Sequence, residues 1–297
     1  MISLDRHIKT RISEVWMLIW ISFIIIMPAL ILAGLYFKSS LLLRDKSVTD
    51  LLVSREWKPL SGKFGFYPFI ISSLWVTVLS LAIAGPVCLL SAIHLTQYAK
   101  KAVLKIMRPV IDILAGIPSV IYGVWGVIVV VPFIARHSSS LLGKQISGYS
   151  ILAGSIVLSI MIIPFILNIM LEVFRSIPDE LQEAPLSLGA SKWQTIKFVL
   201  IKKAFPGIIS AMGLGLSRAF GETIAVLMVV GNVVKIPSGV FQPGYPLPAL
   251  IANNYGEMLS IPMYDSALMF AALVLFFIVL VFNLASRILI VRFEKRI

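Results

Sequence analysis

Residues 64–99 read FGFYPFIISSLWVTVLSLAIAGPVCLLSAIHLTQYA, 36 positions without one Asp, Glu, Lys or Arg. A helix needs about 20 apolar residues to cross the hydrocarbon core of a bilayer. This stretch is long enough to span it and to tilt or overrun it. Working outward, Val15–Phe37, Ile113–Ala135, Gln145–Leu171 and Ser266–Ser286 are charge-free in the same way. Ala204–Val234 is equally apolar but carries Arg218 and Glu222. These runs predict six transmembrane helices, at about 15–37, 67–96, 110–135, 148–171, 204–234 and 264–290. Ile236–Gly256 is also uncharged, but Pro237, Pro243, Pro246 and Pro248 forbid a regular spanning helix there. It is expected to form an external loop, with a short helix after Pro248 that dips toward the membrane.

Composition agrees. The 297 residues are 59% hydrophobic and 13% charged, with mean hydropathy +0.96. A soluble domain carries about 25% charged residues. The fold class expected is therefore all-α integral membrane. Val15–Phe37 exceeds the 7–15 residues of a signal-peptide core and is read as an uncleaved first span. The lone Cys88 can form no intrachain disulfide. His7, His94 and His137 are too scattered for a metal site.

The net charge of +12 could suggest nucleic acid, but every basic cluster adjoins a span. Cytoplasmic loops of membrane proteins concentrate Lys and Arg. With six spans, one side holds Arg6, Lys9, Arg11, Lys100, Lys101, Lys105, Arg108, Arg175, Lys192, Lys197, Lys202, Lys203, Arg287, Arg292, Lys295 and Arg296. The other holds Lys38, Arg44, Lys46, Arg55, Lys58, Lys63, Arg136, Lys144 and Lys235. The bias places both termini in the cytoplasm, with tails at 1–14 and 292–297 flanking a membrane domain at 15–291. Gly62-Lys63 and Gly143-Lys144 lack the Ser or Thr and the glycine spacing of a nucleotide-binding loop. Any ATPase must be another chain.

The loop 176–203 reads Ser-Ile-Pro-Asp-Glu-Leu-Gln-Glu183-Ala-Pro-Leu-Ser-Leu-Gly189-Ala-Ser191-Lys-Trp-Gln194 and onward. Ser176 is expected to cap a first helix, with Ile177, Leu181 and Leu188 on one face. Gly189 suits the left-handed residue that ends a helix. Ser191 and Gln194 form a capping box for a second. Glu183-Ala184-Pro185, with Gly189 six positions after the glutamate, resembles the EAA loop of ABC-importer permeases. Pro185 stands where that motif has alanine, and Lys202 where its closing proline would fall.

Leu114–Gly123 (LAGIPSVIYG), Gly215–Thr223 (GLSRAFGET) and Trp57–Gly65 (WKPLSGKFG) resemble phosphate-importer permeases, the last of them the PstC-type subunit. The resemblance runs from about Trp57 onward. It implies a type I ABC importer permease core in a bacterial or archaeal plasma membrane, forming the path for inorganic phosphate. It also implies a homologous PstA-type permease, two cytoplasmic PstB-type ATPase subunits that bind ATP and Mg, and an external PstS-type binding protein. On this reading Leu181, Glu183, Ala184, Gly189 and Ser191 couple to the ATPase, and no residue of this chain is catalytic.

An ionisable residue inside a span is a functional candidate by default. Arg218 and Glu222, four apart, are expected on one helix face. One reading makes Arg218 the charge that attracts the oxyanion, balanced by Glu222 when the path is empty. The other makes them a structural pair. Thr223 and Asn232 are candidates for hydrogen bonds along the same path. Arg108 and Asp112 form a second i,i+4 pair, read as a surface salt bridge. Gly116 and Pro118 either break the third span or start it. A permease for molybdate, tungstate or sulfate remains an alternative, as does a membrane-embedded enzyme or a membrane scaffold or sensor.

Overall fold

A computed structural model describes residues 2–143, 146–256 and 260–294. Lys144, Gln145, Lys295 and Arg296 lie outside the described residues, as do the side chains of Arg6 and Lys9. The chain folds as α1 (Ile2–Asp45), α2 (Val48–Val53), a hairpin of β1 (Trp57–Lys58) and β2 (Lys63–Phe64), α3 (Tyr67–Ile93), α4 (Lys101–Gly116), α5 (Ser119–Trp125), α6 (Val131–Leu142) and α7 (Ile151–Arg175). Then come α8 (Glu180–Ser187), α9 (Lys192–Thr195), α10 (Ile201–Gly221), α11 (Ile224–Val229), α12 (Leu247–Asn254) and α13 (Pro262–Glu294). Wider helical turns at 94–98, 126–130 and 196–200 extend or join these segments. Six helical stretches among the described residues are long and apolar enough to cross a membrane: Ser13–Asp45, Tyr67–Tyr98, Ser119–Ser138, Ile151–Arg175, Lys192–Gly221 and Pro262–Arg292.

Two expected boundaries are corrected. The region expected as a third span from 110 is two helices. The amphipathic α4 buries only Ile111 and ends at Gly116, and the apolar helix restarts after Pro118, which fixes its own φ and cannot continue the ladder of α4. The fifth helix begins at Lys192 and stops at Gly221 rather than running to 234.

The packing has two centres. α3 lies along α7, and α10 packs on α7 and α3, giving a core that includes Val76, Leu158, Ile162, Ile166 and Ala211. The second core joins the end of α1, α2, the hairpin, α12 and the start of α13 through Leu42, Leu51, Phe66, Phe69, Leu247 and Phe270. Ser266 Oγ accepts from the Leu42 N–H at 3.1 Å, and Lys38 meets Asp265 at 3.7 Å. Leu32 and Leu35 also pack against this core, but residues 13–31 of α1 are exposed. The most apolar window of its span has no buried residue. Side chains this apolar, exposed along a helix, belong against lipid or a second chain.

The hairpin sits over this second core, at the end opposite the α8–α9 loop. Trp57 stands 5.0 Å from Phe69, 5.3 Å from Phe66, 5.7 Å from Phe64 and 5.9 Å from Tyr264, edge to face. Such pairs favour this geometry because a ring edge is positive and its face negative. Gly62 takes the left-handed conformation the tight turn needs (φ 67°). The Lys63 ammonium, 2.7 Å from Glu56, holds that carboxyl below the usual carboxylate range. Gly65 lets two backbones close. A Cβ there would stand 2.5 Å from the Ser54 carbonyl oxygen and 2.8 Å from that of Glu56. Gly65→Ala is therefore expected to destabilise the protein by about 1–3 kcal/mol, the cost of overpacking. Thermal unfolding of the purified protein in detergent checks this, and an unchanged midpoint would contradict the close approach.

Candidate functional site

The fifth span breaks where its charges lie. α10 ends at Gly221, and Glu222 is extended (φ −76°, ψ 125°) before α11 begins at Ile224. Arg218 and Glu222 are therefore not on one helix face, which corrects the expected i,i+4 pair. Among the described residues the two form no ion pair. The Arg218 guanidinium lies over the Phe165 ring instead, 4.8 Å from its centroid. Phe165 is near the middle of α7, so Arg218 sits at mid-depth of the bundle. It is exposed, on the same face of α10 as Leu214 and Gly221.

Glu222 turns the other way. Its Oε1 accepts from the Ala225 N–H at 3.4 Å. It borders a narrow internal space with Ser73 and Thr77 of α3 and with Pro246 and Pro248 ahead of and within α12. Ser72 and Ser73 fasten that proline-bearing segment to α3. Their hydroxyl oxygens accept from the N–H groups of Tyr245 (3.1 Å) and Leu247 (2.8 Å). Thr223 Oγ1 donates to the Gly221 carbonyl at 3.4 Å, bridging the break. Asn232 has a positive φ of 51°, which Asn tolerates better than most residues. It donates from Nδ2 to the Leu227 carbonyl at 2.9 Å, and its buried Oδ1 has no partner among the described residues. The structure thus gathers Glu222 and Thr223 at the break, sends Arg218 to the outer face, and sets Asn232 beyond α11.

At the opposite end, Ser176 is the residue after α7 rather than the cap of α8. α8 starts at Glu180, and Ile177 is buried outside it while Leu188 is 89% exposed just past its end, so the expected shared face does not form. Leu181, Glu183 and Ala184 are exposed instead. Gly189 is left-handed, with φ 85°. The Ser191–Gln194 capping box is present, with Gln194 Oε1 accepting from the Ser191 N–H at 2.7 Å and Ser191 Oγ accepting from the Gln194 N–H at 3.3 Å. The result is two short helices offering Leu181, Ala184 and Leu188 to solvent.

The expected Arg108–Asp112 bridge is also corrected. Arg108 donates to Glu172 at 2.9 Å, and Asp112 accepts from Asn168 at 3.0 Å, so both residues tie α4 to α7. Tyr122 spans the break after α4 by donating to the Leu114 carbonyl at 2.8 Å. Sequence reasoning did not single out Phe165, Ser73 or Thr77. Ser72, Ser73, Thr77 and Ser80 are small polar residues in an apolar span, and that clustering was the available signal.

The family model described as "Binding-protein-dependent transport system inner membrane component" matches residues 84–297. The chain is 41% identical over 255 residues to a probable ABC transporter permease protein, YqgH, of Bacillus subtilis, covering 84% of this chain and 81% of the relative. It is 33% identical over 290 residues to a probable phosphate transport system permease protein PstC of Methanocaldococcus jannaschii, covering 93% and 92%. It is 34% identical over 257 residues to the phosphate transport system permease protein PstC of Xylella fastidiosa, covering 82% and 79%. Among solved structures, an inward-facing MetNI methionine ABC transporter matches with TM-score 0.53 at 20% identity, over 80% of this chain and 99% of that one. A bacterial transporter involved in alginate import matches with TM-score 0.52 at 19% identity, over 77% and 81%.

Proposed function

Because this chain belongs to the family of binding-protein-dependent transport system inner membrane components, we propose that it is the permease subunit of an ATP-driven importer of inorganic phosphate. The observation that carries the reading is Arg218, a guanidinium exposed at mid-depth on a membrane-spanning helix, without a carboxylate partner among the described residues. Hydrocarbon does not tolerate such a group uncovered. A second, homologous PstA-type permease seated on this face would enclose it in a polar path. There its planar fork suits an oxyanion. The relatives named as phosphate permeases favour phosphate over molybdate, tungstate or sulfate.

On this reading the chain performs no covalent chemistry. ATP and Mg belong to two PstB-type ATPase subunits, which dock on Leu181, Glu183, Ala184 and the Gly189–Ser191 bend. A PstS-type protein delivers phosphate from outside. Thr223 at the break and Asn232 beyond α11 extend this route, and Glu222 bears on it from the opposite side, out of the narrow space behind the break. Both termini face the cytoplasm and the hairpin faces out, as the basic residues favour.

Two measurements test the proposal. Proteoliposomes holding all subunits are expected to take up radiolabelled phosphate with ATP inside and binding protein outside, with arsenate competing and molybdate not. Uptake of molybdate with no uptake of phosphate would refute the substrate. In a Cys88→Ala background, Ser61→Cys is expected to react with an impermeant thiol reagent on intact cells. Labelling only after permeabilisation would invert the topology.

A further inference from the structure

We propose that the Trp57–Phe64 hairpin is a docking surface for the external binding protein, presenting Leu60, between Lys58 and Lys63 in the chain, to an apolar recess with an acidic rim. The proposal rests on the import reading and on the outward orientation given with it. The hairpin precedes residues 84–297, which the family model matches. Among the described residues its two strands pair only with each other. Its tip nevertheless holds Leu60 at 89% exposure, away from the membrane-spanning stretches. A single exposed leucine is ordinary on a protein surface. Its support here is not.

The tip is rigid before any partner arrives. Trp57 is clamped by four aromatic rings, Gly65 seats the hairpin's base against Ser54 and Glu56, and the Lys46 ammonium donates to the Gly62 carbonyl inside the turn. A preordered apolar anchor loses little conformational freedom on binding, and anchors of this kind dominate interface energies. Lys58 and Lys63 flank it in the hairpin, both exposed and the second paired with Glu56, while the half-buried Lys46 stands beside Asp50. Residues 38–66 carry six Lys or Arg against three Asp or Glu, and a net positive surface steers a partner of the opposite sign and raises its rate of encounter.

The pedestal also faces inward. Phe69 joins Trp57 to Tyr245, ring centroids 5.0 and 5.3 Å apart in turn. Tyr245 Oη accepts from Asn253 (3.0 Å) and Asn254 (3.1 Å) of α12, and Pro246 and Pro248 beside it border Glu222. Binding at the tip would therefore bear on the segment that covers the break in the fifth span.

The test uses the full complex in proteoliposomes and the purified binding protein of the same system. Phosphate uptake is measured against binding-protein concentration for wild type, Leu60→Asp and Lys58→Glu. Leu60→Asp is expected to raise the half-saturating concentration at least tenfold, and Lys58→Glu several-fold with a weakened salt dependence. Uptake at saturating binding protein should stay near wild type in both. Ser61→Cys in the Cys88→Ala background, carrying a photoactivatable thiol reagent, should crosslink the added binding protein. Wild-type titration curves for both variants, or no crosslink at Ser61, would overturn the docking surface alone. A wild-type complex that ignores the binding protein would overturn the import reading beneath it.

Discussion

Arg218→Gln is expected to abolish phosphate uptake, and adding Glu222→Gln is expected not to restore it. Phosphate carries one to two negative charges near neutral pH, and withdrawing any ion from water is expensive. A fixed guanidinium on the path offsets part of that cost. Removing one partner of a buried charge-assisted contact costs about 2–5 kcal/mol, a factor of roughly 30 to several thousand in rate or occupancy. Had Arg218 and Glu222 neutralised one another on one helix face, losing both would be milder than losing one. The structure removes that premise. Arg218 stacks on Phe165, whereas Glu222 lies across the break beside Ser73 and Thr77. Their effects are therefore expected to be independent. The readout is radiolabelled uptake by proteoliposomes whose complexes assemble and hydrolyse ATP. Normal uptake by the double variant would end the assignment of Arg218 to the path.

The second large effect is at the other end of the molecule. Gly189→Leu and Glu183→Lys are each expected to abolish ATP-driven uptake while the permease still inserts and assembles its membrane partners. Gly189 has open space around the position of a Cβ, so leucine meets no clash. It does meet the left-handed backbone, φ 85°, at a cost of about 1–2 kcal/mol. That is too little to unfold a bundle of this size but enough to swing α8 relative to α9. Glu183 is exposed on α8 near Leu181 and Ala184, so reversing its charge alters the surface and leaves the core untouched. Uptake and ATP hydrolysis measured together decide the matter. Normal uptake in both variants would mean that another element carries the stroke.

What could be read from the sequence follows from how local its cause is. The long charge-free runs mark membrane helices because hydrocarbon penalises charge residue by residue. Gly189 and the Ser191–Gln194 box are set by φ and by bonds within three residues, and the structure contains both. The break at Glu222 was not legible. Arg218 and Glu222 keep helical spacing, and no proline announces a stop. The helix ends there in a setting built by residues far away, Ser73 and Thr77 on α3 and Pro246 and Pro248 near α12. Arg108 and Asp112 misled for the same reason. Each had a plausible neighbour four residues off, yet each bonds a side chain of α7 more than 50 positions along the chain.

The clasp between α1 and α13 has a consequence for how the molecule is made. Leu42 and Lys38 of the first helix hold Ser266 and Asp265 at the start of the last, and the most apolar stretch of α1 has no buried residue. A chain leaves the ribosome in order, at about 5–20 residues per second. α1 is therefore released into lipid while α13, its most extensive partner among the described residues, is still more than 200 residues from synthesis. It must wait there as a solitary helix, stable because its backbone bonds are internal and its surface is apolar. Within this chain, the closing of α1 onto the bundle therefore waits for the synthesis of α13.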